Sequence, residues 1–322
     1  MELFRDVNID WLGKKWYFLG FSLIFSVAGI LSMVFWHGIP LGVDFKGGTE
    51  IQVPFDATPN EDHIRQAMDK AGVKDVTIQR ISASAGQQGN DVIISLPMSS
   101  ATDEAHDAGR IAVEGALRNY YHDSGFGQPS VQIVGPTAGR QLQKQAALAT
   151  GYSLLGMLVY LWFRFELIYG VAAVVAVFHD TLITVGAFSL TNQEITLTVI
   201  AAILTLIGYS MNDTIVVFDR IRENLGLSRR ESLTDVVNRS INQTLSRTVI
   251  SSGLTFLTVM SLYLFGGAVL HGFSFALVVG ILIGTYSSIA IAAPMLVAYQ
   301  DWRKSRGKIS NLPAKRPRAQ SA

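Results

Sequence analysis

The sequence from Gly208 to Asn224 reads GYSMNDTIVVFDRIREN, and most of it lies within one apolar stretch, Ile195 to Phe218. An ionisable residue inside a membrane-spanning helix is energetically costly unless a partner compensates its charge, so it usually marks a functional site. Asp213 is such a residue. The stretch therefore predicts a transmembrane helix in which Asp213 carries a proton or an ion.

The composition is that of a membrane protein. The chain has 322 residues, of which 49% are hydrophobic and 16% are charged, whereas soluble domains have about 25% charged residues. The apolar residues form separate blocks of about 20, the length that crosses a hydrocarbon core of about 30 Å. The chain has no cysteine, which excludes disulfides and thiolate metal sites. We expect a protein of several spans without a metal or a cofactor.

Six apolar blocks predict six transmembrane helices. Lys14 and Lys15 precede the first block as in a signal peptide, but the block lacks a small-x-small cleavage site, so we expect it to be retained. An amino-terminal segment, residues 1–15, comes before the spans, a loop covers residues 219–247, and a tail covers residues 300–322. The predicted spans are residues 16–36, 146–163, 167–190, 195–218, 248–265 and 273–299.

The distribution of Lys and Arg predicts the orientation. Basic residues concentrate in segment 1–15, in loop 219–247 and in tail 300–322, whereas the turns at 191–194 and 266–272 contain no Lys or Arg. Both termini are therefore expected in the cytoplasm. A basic tail beside a membrane is typical of weak binding to anionic lipid headgroups.

Residues 37–140 are then expected outside the cytoplasm as a small α+β domain. Alternation predicts strands at 49–55, 76–81, 92–96 and 131–134, with helices at 62–71 and 103–121. The order β-α-β-β-α-β is that of a ferredoxin-like fold. Its antiparallel sheet leaves one face free to bind a ligand, and the alternative is a spacer without a ligand of its own.

A glycine pair connects the first span to this domain. Residues 41–49 read LGVDFKGGT, and the adjacent glycines Gly47 and Gly48 permit a tight turn or a close approach of two backbone segments. A phosphate site would need the amino terminus of a helix after the glycines, but the sequence predicts a strand. The segment is therefore interpreted as a junction.

Other polar residues accompany Asp213. We expect its helix face to point into the bundle, and the alternative is a hydrated carboxylate near a helix end. Asn212 is a candidate for a hydrogen bond between helices. The residues that share the face of Asp213, one and two turns earlier, are Tyr209, Ser210, Thr205 and Leu206.

Two further sites compete or cooperate with Asp213. Arg247, at the start of span five, is either an ordinary basic flank or a counter-ion for Asp213, since arginine stays protonated. His179 and Asp180 lie near the middle of span three and are either a second proton-carrying site or a hydrogen-bonded pair. In span six, Gly280 and Gly284 form a small-xxx-small face for packing within the chain or against a partner.

These features together resemble the SecD/SecF family of bacterial protein-export membrane subunits, and its SecF branch in the order of elements. The spans also resemble half of the 12-helix bundle of resistance–nodulation–division exporters. The resemblance covers essentially the whole chain. It rests on residues 208–224 and on the signature that contains Asp44, Phe45, Gly47, Gly48 and Thr49.

The resemblance implies a function in protein export rather than an enzymatic activity. It implies a heterodimer with SecD, association with the SecYEG channel and YajC, a location in the bacterial plasma membrane, and use of the proton-motive force to move a translocating polypeptide. It places proton coupling at Asp213 and Arg247 and leaves the role of Asp180 open. Nucleic acid is not an expected partner. Two alternatives are half of a small-molecule exporter and a scaffold that transports nothing.

Overall fold

The computed structural model describes residues 7–74, 76–80, 90–97, 103–164, 167–227 and 231–306. Within these ranges, six helices are long and apolar enough to cross a membrane, which confirms the predicted six-span membrane protein. Several predicted features lie outside the described residues. The sequence also predicts a turn at 86–90 between the second and third strands and a cap for the second helix at Ser99, Ser100 or Thr102. Apart from residue 90, both lie outside the described residues, as do residues 228–230 of the loop and the tail from residue 307 onward.

The helices are numbered in chain order, and two short π-helical segments interrupt the first and last spans. Helix α1 is Lys15–Leu31, followed by the π-helical segment Ser32–Trp36, and α9 is followed by the π-helical segment Ser288–Ala292. The other helices are α2 Val43–Lys46, α3 Glu61–Lys70, α4 Asp103–Tyr120, α5 Pro136–Arg164, α6 Leu167–Thr191, α7 Leu197–Leu227, α8 Leu233–Phe265, α9 Gly267–Ser287 and α10 Ala293–Ser305.

Helices α7 and α8 extend through most of the predicted loop 219–247. Val236, Val237 and Ile241 recur at helical spacing and are fully buried, and Ser232 caps α8 by accepting a hydrogen bond from the backbone N–H of Asp235 at 3.2 Å. The sequence argument followed unbroken apolar runs of membrane length. An amphipathic extension beyond such a run has the helical period without the continuous apolar character.

Helices α6, α7 and α9 form the centre of the bundle, and glycines allow them to approach closely. A Cβ atom added at Gly284 would lie 3.0 Å from Cβ of Ser210, and one added at Gly280 would meet the side chain of Leu206. The small-xxx-small face of α9 therefore packs within the chain, against α7. A second close approach joins α1 and α6 at Gly29 and Gly186.

The soluble domain is a four-stranded antiparallel sheet with α3 and α4 packed on one face, which confirms the predicted α+β arrangement. Ile51 and Val53 of the central strand β1 point into this packed layer and are fully buried. Glu50 and Gln52 alternate with them and line the other face. The strands are β1 Gly48–Pro54, β2 Thr77–Arg80, β3 Asp91–Pro97 and β4 Ser130–Val134, in the spatial order β2-β3-β1-β4.

Replacement of Gly186 by alanine is expected to destabilise the helix bundle. The new Cβ atom would lie 2.7 Å from Cα of Gly29, so α1 and α6 would have to separate. Overpacking of this kind costs about 1–3 kcal/mol, which thermal unfolding of the purified protein in detergent will detect as a lower Tm. The matched control is Gly20→Ala on α1, where an added Cβ meets no atom within 4 Å. Equal Tm values for the two variants would contradict the prediction.

Candidate proton-coupling site

Asp213 lies inside the bundle and has a partner on the neighbouring helix. Asp213 is 4% exposed, and its Oδ2 atom accepts a hydrogen bond of 2.8 Å from the hydroxyl of Ser252 on α8. Helix α7 continues past Asp213 to Leu227. The alternative of a hydrated carboxylate near a helix end is therefore wrong.

Asp180 is the most highly connected carboxylate of the described spans. It is 1% exposed, and its Oδ2 atom accepts hydrogen bonds from the hydroxyl of Ser210 on α7 at 2.6 Å and from that of Ser287 on α9 at 2.8 Å. Its Oδ1 atom lies 3.0 Å from Nδ1 of His179 on its own helix. Asp180 thus joins the three central helices, and both of its oxygens have partners.

A second hydroxyl contact lies beside the two carboxylates. Oγ1 of Thr214 and Oγ of Ser288 are 3.0 Å apart, and both residues are completely buried. Thr214 follows Asp213 in sequence, and Ser288 follows Ser287 and begins the second π-helical segment. Pro294 comes shortly after this segment. Because proline has no N–H to donate, a change of helical pattern near it is expected.

Arg247 does not contact Asp213 in this structure. Its side chain is exposed on α8, and among the described residues no ion pair within 4.0 Å joins it to Asp213. It lies in the middle of a long helix rather than at the start of one. Thr248, the next residue of α8, is buried, and its hydroxyl has no hydrogen-bond partner. It lies about one helical turn before Ser252, the partner of Asp213.

The other predicted polar residues divide into two groups. Ser210 and His179 meet at Asp180, and Tyr209 is partly buried with its hydroxyl unpaired. Asn212 is exposed, as is Thr205. The expectation that Thr205 faces the bundle is wrong, because this residue is exposed. Its hydroxyl donates to the carbonyl of Ala201 on its own helix.

The sequence argument named Ser210 but not as a partner of Asp180, and it did not identify the other hydroxyl groups around the two carboxylates. Serine and threonine within apolar spans commonly form hydrogen bonds to neighbouring helices, so their presence in the predicted spans is the sequence signal for such partners. Many such residues bond to their own helix instead, as Thr205 does. The rotation and register of each helix decide between the two outcomes. The residues missed were Ser252, Ser287, Ser288 and Thr214.

The signature segment attaches the soluble domain to the bundle through Asp44. Its Oδ2 atom accepts a hydrogen bond of 2.8 Å from the backbone N–H of Leu197, the first residue of α7, and its Oδ1 atom accepts one of 3.1 Å from Gln132 of β4. A carboxylate at this position also interacts favourably with the helix dipole. One side chain therefore joins the sheet to the start of the helix that carries Asp213.

The neighbouring signature residues explain the geometry of this attachment. Gly47 has φ 76°, a conformation that favours glycine. At Gly48 an added Cβ would lie 2.3 Å from the carbonyl oxygen of Leu96, so only glycine fits beside β3. Phe45 and Thr49 are 5% and 4% exposed, which anchors both sides of the turn in packed surroundings.

Replacement of Asp44 by alanine is expected to loosen the amino-terminal turn of α7. The change leaves the N–H of Leu197 without its acceptor, and loss of a side-chain acceptor at a helix amino terminus costs about 0.5–2 kcal/mol. Hydrogen exchange measured by mass spectrometry will show faster exchange in peptides that cover residues 197–200. The exposed Asp69→Asn variant in α3 serves as the control. Unchanged exchange in the alanine variant would exclude the capping role.

A polar cavity of about 570 Å³ lies between the open face of the sheet and the turn that connects α6 to α7. The sheet face is therefore partly covered rather than free. Glu50 of β1 and Glu194 of the turn both line this cavity. Burial, together with the nearby carboxylates of Glu194 and Asp44, raises the pKa of Glu50 to about 7, and burial also raises the pKa of Glu194.

This shift predicts that the protein loses stability as the pH rises. The ordinary pKa of Glu50 is 4.5 and that of the folded protein is about 7, so the folded state binds more protons than the unfolded state between these values. Stability then falls from pH 4.5 to about 7. Replacement of Glu50 by glutamine should flatten the dependence of Tm on pH, whereas the Asp69→Asn control should keep it. An unchanged slope in the glutamine variant would refute the assignment.

The described residues contain no group of three or more His, Asp or Glu side chains placed to hold a metal ion. The buried polar groups instead form hydroxyl–carboxylate pairs. Such an arrangement can take up and release protons, because each carboxyl has acceptor atoms and neighbours that serve either as donors or as acceptors.

Two protein-family models match this chain. The model of the protein-export membrane proteins SecD and SecF, C-terminal part, matches residues 113–302, and the model of the SecD/SecF GG motif matches residues 37–59. Protein translocase subunit SecF of Koribacter versatilis is 53% identical, covering 99% of this chain and 98% of that protein. The corresponding subunit of Calditerrivibrio nitroreducens is 41% identical, covering 94% and 98%.

A solved structure is also similar. The crystal structure of SecDF from Thermus thermophilus, described as a translocon-associated membrane protein, matches with a TM-score of 0.79 and 34% identity. The match covers 92% of this chain and 39% of that one. This chain thus spans about two fifths of the length of that protein.

Proposed function

Because this chain belongs to the SecD/SecF family of protein-export membrane proteins, as a translocase subunit of the SecF type, we propose that it couples proton movement at Asp213 to polypeptide translocation. The observation that carries the proposal is a carboxylate 4% exposed in the middle of a spanning helix, held by one hydroxyl of the next helix. Such a group is costly in a bilayer and is typical of ion and proton pathways.

Protonation of Asp213 changes the packing between α7 and α8. The ionised carboxylate makes a charge-assisted hydrogen bond with Ser252, which is stronger than the bond made by a neutral acid. Hydrogen bonds to charged groups contribute about 1.5–3 kcal/mol. One elementary charge that crosses 100 mV releases about 2.3 kcal/mol. The energy of one proton is therefore comparable to that of the contact it changes.

Arg247 is the proposed counter-ion in a second packing of the same helices. In the present structure its side chain is exposed, and α8 carries both it and Ser252, the partner of Asp213. A shift of α8 along α7, together with a rotation about its own axis, would exchange the hydroxyl for the guanidinium. Two states that differ in this contact are what proton-driven movement requires.

The movement reaches the soluble domain through α7. This helix runs without interruption from Leu197 to Leu227, and Asp44 holds its first residue. A displacement of α7 at Asp213 therefore pulls on the segment that joins the first span to β1. In the proposed cycle the soluble domain moves with α7 and moves the translocating polypeptide on the outer side of the plasma membrane.

The proposed partners follow from the half-bundle and from the family. The similar SecDF chain is more than twice as long as the match, which supports SecD as the source of six further spans. Large apolar side chains exposed on the described spans would contact SecD or lipid, among them Trp16, Phe35, Phe163, Leu254 and Leu257. We propose that the complex associates with SecYEG and YajC and that both termini lie in the cytoplasm.

The two other candidate functions lead to different results. A scaffold of the translocon needs no titratable group at position 213. A half-exporter of small molecules would bind its substrate in an outer region larger than this four-stranded domain. The names of the similar proteins favour protein translocation over small-molecule export.

The deciding experiment uses inverted membrane vesicles that carry equal amounts of the wild type, Asp213→Asn or Thr205→Val, each with its partner subunit. A secretory protein is arrested partway, ATP is removed, a proton gradient is imposed, and completion of translocation is followed. We expect the wild type to complete the reaction and Asp213→Asn to fall to the level seen without a gradient.

The Thr205→Val control lies two turns away on the same helix and removes a hydroxyl that bonds only to its own helix. It should behave as the wild type does. If Asp213→Asn completes translocation as fast as this control, Asp213 does not couple protons to export, and the scaffold function is the better account.

A further inference from the structure

The contacts of Asp180 are arranged for a carboxyl group that changes its protonation state. Oδ2 has two hydroxyl neighbours on two other helices, at 2.6 Å and 2.8 Å, and Oδ1 has the imidazole of His179 at 3.0 Å. No Lys or Arg side chain of the described residues lies within 4.0 Å of it. Hydroxyls and a histidine therefore surround this carboxyl, whereas a permanent cation would hold it ionised.

Ser287 has two acceptors for its single hydroxyl hydrogen. Its Oγ atom is 2.8 Å from Oδ2 of Asp180 and 3.1 Å from the carbonyl oxygen of Gly284 on its own helix. The ionised carboxylate is the stronger acceptor and attracts the hydrogen. When Asp180 is neutral, the hydrogen turns to Gly284 without movement of a heavy atom. The bond between α6 and α9 thus depends on the charge of Asp180.

His179 supplies the route by which a proton reaches this carboxyl. An ionised Asp180 can only accept, so Nδ1 of His179 carries the hydrogen of their contact, and Nε2 is the acceptor nitrogen of the neutral ring. Nε2 is buried and has no hydrogen-bond partner. A buried polar atom without a partner calls for a specific explanation, and a proton-accepting position is one that fits its chemistry.

We propose that Asp180 is a second proton carrier of the bundle, which takes up and releases its proton through His179. The inference rests on the proposed function in so far as protons cross this bundle. In the uptake step, a proton binds to Nε2 of His179 and the Nδ1 proton moves to Oδ1 of Asp180. The imidazole is again neutral, the carboxyl is neutral, and the contact remains with the carboxyl as its donor. Release reverses these transfers.

Protonation of Asp180 also affects the surroundings of Asp213. Loss of the Ser287 bond loosens α9 next to Ser288, whose hydroxyl contacts Thr214, the neighbour of Asp213. Ser210, the other partner of Asp180, lies one turn before Asp213 on α7. The two carboxyls therefore influence each other through α7 and α9.

The other titratable groups near this cluster are few. On α7 they are Asp213, already assigned to proton coupling, and Tyr209, whose hydroxyl is buried and unpaired. On α9 the hydroxyl of Tyr286 donates to the carbonyl of Phe18, which directs it toward α1. Among the groups named here, His179 is the one in hydrogen-bond contact with Asp180.

The test measures the protonation of Asp180 directly. Infrared difference spectra of the full chain with its partner subunit in lipid bilayers are recorded across an acid-to-neutral titration, and the C=O stretch of protonated carboxyl groups is followed. We expect a band that is absent in Asp180→Asn, shifted in frequency in Ser287→Ala, and altered in titration midpoint in His179→Gln. The matched control is Thr184→Val, which removes a fully buried hydroxyl that bonds to the backbone carbonyl of Asp180 and should keep the band unchanged.

The same variants are then compared in the vesicle assay. We expect Asp180→Asn to slow gradient-driven completion severalfold while ATP-driven entry of the polypeptide stays normal. A spectrum of Asp180→Asn identical to that of the wild type, or a lost band with export at full speed, would overturn the proposal. If Asp180→Asn fails to assemble, Ser287→Ala decides the question, because it keeps the carboxyl, and an unshifted band overturns the proposal.

Asp213→Asn separates this proposal from the proposed function. If that variant exports normally while the Asp180 band titrates as expected, the assignment of Asp213 fails. Under the opposite pattern, in which Asp213→Asn stalls and no Asp180 band appears, the second carrier fails and the proposed function stands.

Discussion

The burial of two carboxyl groups inside a bundle of apolar helices is the constraint on which the remaining packing depends. An ionised carboxylate in such surroundings needs hydrogen-bond donors from the protein, because bulk water is not there to solvate it. Asp180 receives donors from α7 and α9, and Asp213 receives one from α8. Four helices are thus connected through groups whose charge can change, so the charge state and the packing cannot vary independently.

This connection works only if the helices lie close together. A serine hydroxyl reaches a carboxylate on the next helix over a short distance, and Gly284 provides that distance where α9 meets Ser210 of α7. A larger residue would push α9 away and lengthen the contacts made by the following serines. The small-residue face of α9 and its hydroxyl groups therefore act together, since the first brings the second within reach of Asp180.

The sequence predicted the parts of the molecule that depend on local pattern. Apolar blocks identified six spans, alternation identified the strands of the soluble domain, and the charge at Asp213 marked the candidate site. It did not predict that Ser252 faces Asp213 or that Ser287 faces Asp180, because such pairs depend on the rotation of one helix against another. The lengths of α7 and α8 were also missed, since their ends leave the apolar run while they keep the helical period.

The connection between the site and the soluble domain follows from the stiffness of a continuous helix. Leu197, held by Asp44, and Asp213 are sixteen residues apart, so about 24 Å of α7 separates the two ends of the connection. A helix of this length moves as one body, and its amino terminus cannot stay fixed while its middle shifts. One carboxylate oxygen of Asp44 accepts a hydrogen bond from this terminus, and the other accepts one from Gln132 of β4. In the proposed cycle, the signature segment is therefore the place where movement of α7 would reach the sheet.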